Sequence, residues 1–90
     1  MVKENRKKLS LTRPATYQIK VPGVLDERWS NQDGGMTITF ESDDAGLPVT
    51  TLTGALDQAA LQGLLRRLYS LGLPLISVKC VEINDTHQIV

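Results

Sequence analysis

Two short runs near the front of the chain alternate strictly. Tyr17, Ile19 and Val21 interleave with Thr16, Gln18 and Lys20, and Met36, Ile38 and Phe40 interleave with Thr37, Thr39 and Glu41. A period of two puts successive side chains on opposite faces, so both runs predict half-buried strands, and the threonines suit a pleated backbone. Between them Pro22-Gly23 ends the first strand and Gly34-Gly35 opens the second. Asp26 is placed to cap one or two helical turns over residues 27–31, with Trp29 turned inward. After the second run, residues 42–48 (SDDAGLP) read as a polar hairpin loop, and residues 49–53 as the returning strand with Leu52 inward.

The period then changes. Ala60, Leu61, Leu64, Leu65, Leu68 and Leu71 recur at helical spacing behind Asp57, with Gln58, Gln62, Arg66 and Arg67 on the other side. Gly72 supplies a left-handed residue, Leu73 an apolar contact beyond it, and Pro74 forbids continuation. This pattern predicts a helix over residues 58–71. Beyond it Ile76, Val78 and Cys80 share one phase with Ser77 and Lys79 opposite, after which Val81 and Ile83 fall on the Ser77 side. Either a bulge resets the pleat or the far end of that face is covered.

The order strand, short helix, strand, strand, long helix, strand defines an α+β fold. It predicts a four-stranded, mainly antiparallel sheet with one long helix on one face, in a ferredoxin-like βαββαβ order with an abbreviated first helix. The alternative is a β-meander plus helix and final strand. In either case Tyr17, Ile19, Val21, Met36, Ile38, Phe40, Leu52, Ile76 and Val78 form the helix-facing side. The other side presents Thr16, Gln18, Lys20, Thr37, Thr39, Glu41, Thr51, Thr53, Ser77 and Lys79, a surface rich in threonine and short of charge.

Charge refines the domain organisation. The net charge is zero, but Lys3, Arg6, Lys7, Lys8 and Arg13 stand against Glu4 alone in residues 1–15, and the remainder is acidic to match. Residues 1–15 therefore read as a basic disordered arm, 16–83 as the domain, and 84–90 as a frayed end. The arm's five cations are the candidate contacts for a polyanion. Composition is otherwise ordinary for a globular chain, with 41% hydrophobic residues and no apolar run of membrane-spanning length. With no secretory pattern at the front, the expected compartment is the cytoplasm.

The segments from Asp57 to Leu65 (DQAALQGLL) and from Leu71 to Val78 (LGLPLISV) resemble a family of small uncharacterised bacterial proteins. Residues 35–39 (GMTIT) and 51–54 (TLTG) fit the same pattern, and the similarity spans about residues 16 to 83. What the resemblance implies is a fold unit, without an activity, a cofactor or a ligand.

Candidate chemistry is sparse. His87 is the sole histidine and falls in the frayed end, so a nucleophile would lack a positioned base. Cys80 is in phase with Ile76 and Val78 and reads as a buried, inert thiol. Asp43 and Asp44 lack the ligand spacing of a calcium loop, and no glycine-rich phosphate motif occurs. Catalytic, cofactor and metal residues are therefore none. Sheet-surface nucleic-acid binding calls for exposed aromatics, whereas Tyr17 and Phe40 take the inward phase, so only the arm would attract a polyanion. The expectation is a non-enzymatic interaction module, binding a second copy or another protein and no membrane. Its candidate interface is Thr37, Thr39, Thr51, Thr53, Val81 and Ile83, on the open sheet face.

Overall fold

A computed structural model describes residues 13–83, without the side chains of residues 31–34 and of residue 83. The elements are β1 (Ala15–Pro22), a 3-10 segment (Glu27–Gly34), β2 (Thr37–Ser42), β3 (Pro48–Leu56), α1 (Gln58–Ser70) and β4 (Ser77–Ile83). One sheet runs β2-β3-β1-β4 with every neighbouring pair antiparallel. The class is α+β: a four-stranded antiparallel sheet carrying one α-helix. Because β1 pairs with β3 and not with β2, the meander arrangement is not the one adopted. β1 and β2 run the same way on either side of β3, joined through the 3-10 segment.

That segment is rich in residues whose side chains compete with helical backbone bonds. Ser30 Oγ bonds back to the Glu27 carbonyl at 2.8 Å, and Asp26 Oδ1 accepts the Arg28 N–H at 2.9 Å. This N–H and the Arg28 guanidinium at 3.1 Å hold the Asp26 carboxyl below the usual carboxylate range.

α1 begins and ends where its sequence dictates. Asp57 Oδ1 accepts the Ala60 N–H at 2.8 Å, satisfying one of the free donors of the first turn. At the other end Gly72 takes φ +78°, its N–H reaches the Tyr69 carbonyl at 2.9 Å, and the Leu73 N–H reaches Leu68 at 3.0 Å. These paired bonds form a Schellman cap, and Leu73 adds its apolar contact by packing on the core.

The core lies between α1 and the two central strands. Leu61, Leu64 and Leu68 pack over Ala15, Tyr17, Ile19 and Val21 of β1 and Leu52 and Leu56 of β3, with Met36 beside them. Leu25, Trp29, Ile38 and Leu65 close the margin. Gly54 lies opposite Tyr17, and a Cβ there would meet Met36 Cγ at 3.2 Å, so its bareness lets Met36 settle against the sheet.

One helix-side position of β3 is polar. Thr50 is fully buried opposite Val21; its hydroxyl donates to the Gly23 carbonyl at 2.6 Å and accepts the Leu25 N–H at 3.1 Å. The loop leaving β1 is thereby fastened to the middle of the sheet. Tyr17, also buried, has its hydroxyl bonded by Gln58 Nε2 at 2.6 Å, linking β1 to the first turn of α1.

Leu64→Ala is expected to cost about 2–5 kcal/mol in urea unfolding, since it empties the centre of the core. Thr50→Val keeps the volume but strands the Leu25 N–H and Gly23 carbonyl, and should cost about 1–3 kcal/mol. A Thr50→Val variant as stable as the native chain would show that the loop is held by something else.

Candidate interaction surface

The open face of the sheet is set by register. Across it lie Thr37, Thr53 and Gln18 in one row, and Thr39, Thr51, Lys20 and Ser77 in the next. Lys20 on β1 reaches across β3 to Glu41 on β2, with Nζ 2.7 Å from the carboxylate. That ion pair spans the Val49 and Thr51 positions, both of which are buried although they belong to the open face.

The predicted interface residues do not form one surface. Thr37 and Thr39 are exposed and Thr53 is half-buried, but Thr51 is only 3% exposed and its Oγ1 has no hydrogen-bond partner. Val81 is exposed and occupies a bulge: Cys80 pairs with Tyr17 and Glu82 with Thr16, leaving Val81 as the extra residue. Ile83 then pairs with Ala15, a helix-side position, so its expected place on the Ser77 side is corrected. The bulge restores the pleat's phase after Val81.

A second correction concerns coverage. Ile76, Val78 and Cys80 are on the helix side, as their phase predicts, but they are not buried there. Ile76 is 53% exposed, Val78 is 40% exposed, and Cys80 is an exposed thiol rather than an enclosed one. The cause is geometric: α1 covers β1 and β3, and β4 lies beyond its reach. Leu71, Leu75 and Tyr69, at the end of α1 and the start of the next connection, are exposed as well. At the opposite edge Phe40 on β2 is 53% exposed, against its predicted place in the core.

Other candidates are accounted for locally. Asp43 Oδ1 accepts the Ala45 and Leu47 N–H groups, both at 2.9 Å, which assigns that carboxylate to the hairpin turn. Among the described residues no cluster of three or more His, Cys, Asp or Glu converges. Likewise no helix there is long and apolar enough to cross a membrane. Of the proposed polyanion contacts Arg13 is exposed, while Lys3, Arg6, Lys7 and Lys8 lie outside the described residues, as does His87. Arg66 and Arg67 are exposed on α1 beside Tyr69.

An antiparallel sheet with one face open and the edge strand β4 bare on its helix side thus defines a small α+β domain. The chain belongs to the family described as Domain of unknown function (DUF8691), whose model matches residues 16–79, from β1 into the first half of β4. No curated protein and no solved structure matches the chain.

If β4 is uncovered, Val78→Thr and Cys80→Ser should each change unfolding free energy by no more than about 0.5 kcal/mol. A loss well above 1 kcal/mol at either position would mean that the helix side of β4 is packed.

Proposed function

We propose that this domain is a non-enzymatic interaction module whose partner is a second copy of itself. The observation that carries the reading is the apolar row along the helix side of β4 and the connection before it: Leu75, Ile76 and Val78, each between 40% and 53% exposed. Contiguous apolar surface beside polar surroundings marks protein contact sites on small domains. A domain of this size removes only about 60% of its unfolded surface from water by folding, so added burial contributes comparatively much. A second copy is present wherever the first is, at the same concentration.

The threonine face supports this less well than its composition promised. Its centre is bridged by Lys20 and Glu41, and Thr51 is already enclosed. The interface therefore moves from the open face to the β4 side. The absence of a nucleophile with a base among the residues brought together favours binding over catalysis.

Sedimentation equilibrium of the full chain across a wide concentration range is expected to give a dimer. Replacing Ile76 and Val78 together by Lys should give a folded monomer with an unchanged circular dichroism spectrum. A native chain that remains monomeric at the highest concentrations would overturn the reading.

A further inference from the structure

β4 is an edge strand: β1 lies on one side of it and no described strand on the other. The outer row of backbone N–H and C=O groups on such a strand is a template for pairing. Its composition gives that edge little protection. Among the described residues of Ser77–Ile83 the charged side chains are Lys79 and Glu82, both exposed and neither in an ion pair.

We infer that two copies join β4 to β4 in antiparallel fashion, with Lys79 of each opposite Glu82 of the other, to form one continuous eight-stranded sheet. This rests on the self-association reading and names its geometry. The bulge is what makes the register self-complementary. Lys79 pairs with Gln18 and Glu82 with Thr16, so both are on the open face, although three positions apart in sequence. Val78 pairs with Ile19 and Ile83 with Ala15, so both are helix-side positions. Setting Lys79 against Glu82 across a two-fold axis also sets Val78 against Ile83. Open-face residues then oppose open-face residues, and helix-side residues oppose helix-side ones. A slip of one residue either way sets Val78 against Glu82, or Lys79 against Ile83, mixing the faces.

In this register Cys80 opposes Val81 of the other copy, so the two bulges meet at the axis and the bend each introduces is shared. The contact is isologous and closes at two. The other free edge lacks these properties. β2 (TITFES) carries no cation, and Glu41 is already held by Lys20. Pairing β4 with β2 of another copy would be head-to-tail and would not close.

The experiment uses charge reversal in the full chain. Lys79→Glu and Glu82→Lys each put like charges opposite one another twice per dimer, and each should raise the dimer dissociation constant about tenfold. Lys79→Glu combined with Glu82→Lys restores opposite charges and should return the constant to within about threefold of native. Both sites are exposed, so the melting of dilute, monomeric protein serves as the check on folding. As a second readout, the two Cys80 thiols lie on one side of the sheet close to the axis. A short bismaleimide should therefore couple two chains through Cys80, the sole cysteine. A dimer whose constant is unmoved by the single reversals, or not restored by the double, overturns the register and leaves self-association standing. So does a dimer that the bismaleimide fails to couple. A native chain that is monomeric throughout overturns both.

Discussion

A single α-helix is about 10–12 Å across with its side chains, whereas the outer strands of a four-stranded sheet are separated by about 14 Å between axes. The rest of the molecule follows from that mismatch. α1 settles on the central strands β1 and β3, where Leu61, Leu64 and Leu68 meet Ile19, Leu52 and Leu56. The two outer strands are left with apolar side chains that share the core's face without its cover. A second α-helix would complete the layer. In its place stand the 3-10 segment and Trp29, which close only the margin of the core.

Polar side chains hold the connections that this narrow core cannot. Thr50 fastens the loop after β1 by accepting one backbone bond and donating another from a site sealed from water. Gln58 and Tyr17 join the helix to the central strand, and Lys20 and Glu41 brace the open face across β3. The first two are buried or partly buried, where loss of one partner leaves a desolvated group. The third is partly exposed, where an ion pair contributes little to stability, but it decides which part of the open face water reaches.

How much of this was legible in the sequence depends on what each signal reports. The bounds of α1 were written in Asp57 and Gly72, whose chemistry acts within a turn of the backbone and needs no tertiary context. The strands' inward phase was equally plain. What alternation cannot convey is whether anything lies over the inward face, and so Ile76, Val78, Cys80 and Phe40 were assigned to a core that stops short of them. Thr50 was in the inward phase of a strand with Leu52, and a polar residue there was a visible sign of a buried hydrogen bond. Val49, apolar on the open face, was a matching sign that part of that face is enclosed. The change of phase at Val81 did mark a bulge, but its consequence for Ile83 required the register with β1. Charge and the lone histidine gave no site, and the family match carries the fold unit without a chemistry.

The bulge at Val81 has one further consequence, for how the strand tolerates change. It works like an inserted letter in a message read two characters at a time: everything after it is understood only because the insertion is there. Removing Val81 would leave the composition of β4 almost unaltered and still turn Glu82 towards the helix side and Ile83 towards the open one. Length, rather than identity, is the property this position conserves for the strand, so many residues could stand there but an empty place could not.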